Sequence, residues 1–87
     1  MRVTQTAQFE KDIKRQVKQG KDPDKILKLL GYLLQGQELP ESYKDHPLRG
    51  NWKDRRDCHL EPDWILIYRL RDEEIRLERT GSHSDLF

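Results

Sequence analysis

A chain of 87 residues has room for one domain, 1–87, and a domain of that size buries only a little over ~60% of the surface its unfolded chain exposes, which excludes a large core. Apolar residues make up 33% and charged residues 38%, a balance that leans towards disorder, yet the apolar residues fall in dense periodic blocks, the pattern of a small globule. A net charge of +1 removes any whole-molecule pull towards nucleic acid, so an RNA site has to be a local patch.

Arg2-Val3-Thr4-Gln5 is a short β-prone opening, and Thr6 can cap a helix beginning at the next residue. Phe9, Ile13 and Val17 recur every four residues and predict an amphipathic helix whose other face carries Lys11, Asp12, Lys14, Arg15 and Lys18, ended by Gly20. Asp22-Pro23 reads as an N-cap followed by proline at the first helical position, where its missing N–H costs nothing. Ile26, Leu27, Leu29, Leu30, Leu33 and Leu34 make the second helix the expected most buried element, stopped at Gly36. From Leu39 to Gly50 the punctuation by Pro40, Pro47 and Gly50 predicts a loop.

Beyond it the period changes to two. Trp52 to Leu60 reads as a polar strand, Glu61-Pro62-Asp63 as a turn, Trp64 to Leu70 as a nearly continuous apolar strand, and Glu74 to Arg79 as an alternating one. The expected fold is α+β: a two-helix N-terminal hairpin packed on an antiparallel β-sheet. The one cysteine, Cys58, has no intramolecular partner, which favours a reducing compartment. No apolar run approaches a membrane span, and Met1 to Gln8 has no hydrophobic signal region, so the expected address is the cytoplasm.

Ile75, Leu77 and Arg79 are expected to share a face of the last strand, with Arg79 emerging at the rim of the sheet; pairing with a carboxylate is the competing use of that side chain. His46, His59 and His83 all lie outside the helical half, at a loop, a strand end and the C-terminal tail. With Asp63 and Arg79 they supply what RNA self-cleavage needs. The nucleophile is the substrate's own 2′-hydroxyl, so the protein must remove its proton, protonate the departing 5′-oxygen and offset phosphoryl charge. Imidazole, with an unperturbed pKa of ~6.5, can do the first two near neutral pH, and a guanidinium suits the third. Such a site needs no metal or other cofactor. Zinc is the competing use, but Cys58 and His59 are strand neighbours pointing to opposite faces, and no CxxC or HxxxH spacing is present.

Lys44, Arg49, Lys53, Arg55 and Arg56 outnumber Asp45 and Asp54 locally, an excess suited to phosphate contacts, while a solvated loop and edge strand is the plainer reading. Trp64, which opens an apolar strand, and Trp52 read first as core. Phe87, after a polar Ser-His-Ser-Asp stretch, either docks to anchor His83 or stacks on a base.

Three blocks, Tyr43 to Lys53, Arg56 to Tyr68 and Arg79 to Phe87, closely resemble in order and spacing the YafQ branch of the RelE superfamily of toxins, and the helical hairpin before them suits the same family. The resemblance implies a RelE-like microbial ribonuclease fold and the toxin of a type II toxin–antitoxin pair. It further implies a metal-independent endoribonuclease that cuts mRNA in the ribosomal A site, with the ribosome and mRNA as partners. It also implies a cognate antitoxin that wraps around the toxin, operator DNA bound only as the toxin–antitoxin complex, and no membrane partner.

By the same resemblance His46, His59, Asp63, Arg79, His83 and Phe87 fall on functional positions, and Trp64 beside them is a candidate substrate contact. His83 is the implied general acid, His59 with Asp63, or His46, handles the 2′-hydroxyl proton, Arg79 stabilises the transition state, and Phe87 stacks or closes the site. The alternative from another class is a non-catalytic module that occupies RNA or, with its antitoxin, operator DNA; it predicts growth arrest or repression without cut transcripts.

Overall fold

The computed structural model describes residues 1–87. Thr6 starts the first helix, α1 (Ala7–Lys18), by accepting a hydrogen bond at its hydroxyl from the Phe9 N–H at 2.9 Å, and it also donates to the Glu78 carbonyl at 2.8 Å. One side chain thus caps the helix and ties it to the last strand. The Asp22 carboxylate accepts from the Asp24 N–H at 2.9 Å, and α2 (Asp24–Leu34) follows Pro23, one residue later than the sequence suggests.

The sheet comprises β1 (Arg2–Gln5), β2 (His46–Pro47), β3 (Arg56–Glu61), β4 (Trp64–Arg71) and β5 (Glu74–Gly81), in the order β1-β5-β4-β3-β2. The expected α+β class is present, with one correction: β1 runs parallel to β5, so the sheet is mixed. The loop expected up to Gly50 contains β2 and a single 3₁₀ turn at Glu41–Tyr43. The strand expected from Trp52 begins only at Arg56, because Gly50–Trp52 forms another 3₁₀ turn. A helix that the sequence pattern does not predict, α3 (His83–Leu86), closes the chain.

Two apolar clusters sandwich the sheet. Phe9, Ile26, Leu29 and Leu30 from the helices meet Cys58, Trp64, Leu66, Tyr68, Ile75 and Leu77 on one face; Ile65, Ile67 and Leu86, flanked by Leu48 and Trp52, form a smaller cluster on the other. The most buried element is therefore β4, whose residues Trp64 to Tyr68 are all sealed, and not α2, where Leu27 and Leu34 face solvent. A strand covered on both faces loses more surface than a helix covered on one. In α1 the buried set is Phe9, Asp12 and Gln16, while Val17 is exposed, because the face carrying Asp12, which bonds Arg79 and Thr80 of β5, is the covered one.

Candidate active site

The antiparallel path of β3, β4 and β5 brings the end of β3, the Asp63 turn and the end of β5 together at one end of the strands. Cross-strand partners share a face, so the register defines two adjacent rows on the side of the smaller cluster: His46, Asp57, Ile67 and Arg79, then His59, Ile65 and Gly81. The second row delivers the chain to α3, where Ser82 caps the helix in a reciprocal capping box with Asp85.

α3 presents His83 to the turn. The Asp63 Oδ1 atom accepts from the His83 backbone N–H at 2.9 Å and lies 2.7 Å from His83 Nδ1. These two contacts hold the Asp63 carboxyl below the usual carboxylate range, the backbone hydrogen bond acting most strongly. With Nδ1 engaged, Nε2 is the nitrogen left to face solvent. The His83 ring stands edge-on to His59, centroids 5.3 Å apart. Phe87, one turn further on, donates its N–H to the His83 carbonyl, and its side chain is 58% exposed.

His46 sits on β2, next to an anchored residue. Asp45 accepts from Arg56 Nε and Nη2 at 3.2 and 3.0 Å and from the Tyr68 hydroxyl, which fixes the strand's start. His46 Nδ1 lies 2.8 Å from the Lys44 carbonyl oxygen. Asp57, opposite His46 in the sheet, is a site residue that the sequence pattern does not single out. It is 4% exposed, and the charges of His46, His59 and His83 all act on it. Its only sequence signal is its position two before His59, on the same strand face.

Arg79 reaches this face through a register shift, not by alternation. Tyr68 pairs with Leu77, but Ile67 pairs with Arg79, so the extra residue in β5 takes Arg79 out of the row of Ile75 and Leu77 in which it was expected. β1 pairs with β5 only as far as Leu77, leaving the edge beyond open to α1. There Asp12 accepts from Arg79 Nε at 2.7 Å, from Nη2 at 3.3 Å and from the Thr80 N–H at 3.2 Å. The pair raises the Arg79 pKa and commits one edge of the guanidinium, leaving Nη1 for another ligand.

Several expected substrate contacts have other tasks. Trp64 has no exposed surface and belongs to the helix-side core, so it cannot touch RNA in this fold. Arg55 donates to Glu78 at 3.2 Å and lies 6.0 Å over Trp52, and Arg56 is the Asp45 anchor. Lys44, Arg49 and Lys53 are exposed. Lys44 joins Lys25, Lys28, Tyr43 and His59 around a groove of about 510 Å³ that opens beside the histidine cluster.

The arrangement therefore offers two imidazoles in contact, one oriented by a carboxylate, a third imidazole over a buried carboxylate, a partly committed guanidinium and a basic groove. Proton exchange at a bound phosphodiester is within its means.

A family model described as the bacterial toxin of a type II toxin-antitoxin system, YafQ, matches residues 1–87. The chain is 49% identical over 86 residues to the mRNA interferase toxin YafQ of Escherichia coli (strain K12), covering 98% of this chain and 94% of that protein. Its fold superimposes with a TM-score of 0.90 and 48% identity on a chain of the E. coli DinJ-YafQ complex, covering 100% of this chain and 99% of that one. A metal-bound toxin from Helicobacter pylori is similar at a TM-score of 0.92 and 43% identity, over 100% and 99% of the two chains.

Proposed function

The chain belongs to the YafQ family of bacterial toxins of type II toxin–antitoxin systems, and from that premise we propose that it is an mRNA interferase acting on translated mRNA in the ribosomal A site. The observation that carries this reading is the His83 ring, tied through Nδ1 to Asp63 and edge-on to His59, at an exposed rim of the sheet. A cognate antitoxin is the proposed partner, as E. coli YafQ crystallised with DinJ, and the cytoplasm, where ribosomes translate, is the proposed place of action.

In the proposed reaction the 2′-hydroxyl oxygen bonds to the adjacent phosphorus while the bond from phosphorus to the 5′-oxygen breaks, leaving a 2′,3′-cyclic phosphate and a 5′-hydroxyl end. His59 or His46 takes the 2′-hydroxyl proton. His83 delivers a proton from Nε2 to the 5′-oxygen, and Asp63, on the other nitrogen, keeps the ring turned and supports its positive form. Asp63 thereby acts on His83, not as the partner of His59. Arg79, through the part of its guanidinium not held by Asp12, offsets charge on the phosphoryl oxygens. Phe87 stacks on a neighbouring base. The groove past His59, with Lys44 on its wall, suits the phosphates beyond.

His83→Ala tests the assignment. Cleavage of translated mRNA is expected to fall about 10²–10⁴-fold with the unfolding temperature preserved, because the ring is exposed. Mapping 5′-hydroxyl ends measures it, and full cleavage by that variant would remove the proposed acid.

A further inference from the structure

Asp57 is an unusual carboxylate for this molecule. The other buried acids are well supplied with donors: Asp12 has Arg79 and the Thr80 N–H, and Glu78 has Arg55. Asp57 is as deeply buried, yet its Oδ1 has no hydrogen-bond donor. It does have a near neighbour, because His46 Nδ1 lies 2.9 Å away. The ring N–H is directed at the Lys44 carbonyl oxygen at 2.8 Å, so the Asp57 contact is off the N–H axis and is not a hydrogen bond. A carboxylate oxygen sealed from water with no donor is costly, and the ionised form gains when a positive charge arises beside it.

The surroundings are arranged for that event. Facing Asp57 are His46 from β2, His59 two residues along β3 and His83 from α3, with Asp45 before β2 as the one like charge. Ile67 of β4 is apolar, and Arg79 beyond it is drawn to Asp12. Desolvation raises the Asp57 pKa, whereas positive charge on any of the imidazoles draws it back down.

We propose that Asp57 is a positioning residue of the ribonuclease site, holding the His46 ring and stabilising the imidazolium that forms when the cluster takes the 2′-hydroxyl proton. The proposal rests on the nuclease reading and adds a residue to it. With the Nδ1 proton on the Lys44 carbonyl, the His46 lone pair is at Nε2, the atom that can face substrate. When Nε2 takes a proton, the ring becomes positive 2.9 Å from a carboxylate that is itself almost buried, so water screens the pair only from the exposed side of His46. That attraction is stronger in the transition state than in the resting site, so it acts on kcat and not on binding.

Asp57→Asn keeps the shape and removes the charge. For translated mRNA, kcat should fall about tenfold or more with KM unchanged, and the acid limb of the pH–rate profile should move to lower pH. NMR of the folded variant should show the His46 ring signals changing at lower pH than in the parent protein. Stability separates positioning from support. Burial places the Asp57 pKa above its ordinary 3.8, so its ionised form is a cost that is absent below that value and grows as pH rises through the folded pKa. The variant should therefore unfold at an equal or higher temperature at pH 7, and the difference should vanish at about pH 3.

A variant with full kcat and unmoved ring signals overturns the proposal, and so does one that loses stability while each folded molecule cuts normally. If the parent protein cuts no translated mRNA, the nuclease reading fails, and the ring signals still decide whether Asp57 governs His46.

Discussion

The Cys58 thiol has no exposed surface and lies in the helix-side core with its Sγ 3.8 Å from the Leu66 carbonyl oxygen. Burial pushes its pKa up, so the reactive thiolate is suppressed at physiological pH. A disulfide-exchange reagent such as DTNB should not label the native protein, and labelling should appear only at the rate at which the chain opens. Fast stoichiometric reaction in native buffer would contradict this burial. His59, the next residue, differs in every respect that matters for chemistry: it is partly exposed, lines the groove and touches His83. The alternation of the strand separates the inert sulfur from the usable imidazole.

At the scale of elements, the decisive piece is α3. Four residues are too few to be helical alone, so the element depends on its capping box and on Leu86 docked against Ile65 and Ile67. Gly81 lets it pack closely, since a Cβ there would stand 3.0 Å from the Asp85 side chain. Ser82→Ala removes the oxygen that accepts from the Asp85 N–H at 3.2 Å and should cost about 1 kcal/mol of stability. Cleavage is expected to fall further than that loss explains, because His83 then samples orientations away from Asp63. Thermal unfolding and cleavage rate on the same preparation check it, and unchanged cleavage would mean that the substrate orders His83 by itself. The Ser-x-x-Asp spacing at residues 82–85 is a capping signature, and it is the one sign of a helix in a stretch whose composition is that of a polar tail.

For the whole molecule, a net charge of +1 conceals an uneven use of basic residues. Arg55, Arg56 and Arg79 are tied to Glu78, Asp45 and Asp12, and Lys21 and Lys25 both hold Glu61 at 2.8 and 2.9 Å. Lys44, Arg49 and Lys53 remain exposed. Lys44→Ala should therefore weaken RNA or ribosome binding and lower the slope of log affinity against log salt by about one. Arg56→Ala should instead lower the unfolding temperature, because it removes the anchor of Asp45, and leave that slope nearly unchanged. Binding isotherms at several salt concentrations distinguish the two, and equal slopes for both variants would show that the exposed lysine is not a phosphate contact.

Local interactions were legible in the amino-acid order. The Thr6 cap, a helix start near Asp22-Pro23, the apolar run of β4, the alternation of β5 as far as Leu77 and the return of the meander all arise from neighbours a few residues apart, and they suffice for the α+β architecture and for the meeting of His59, Asp63 and His83 at one end of the strands. The register shift that turns Arg79, the parallel addition of β1, the sealing of Trp64 and the place of Asp57 were decided by the assembled sheet. Each depends on a partner remote in the chain, as when Asp12 meets Arg79 across 67 residues, and which buried group finds a donor is settled only when all the strands are in place.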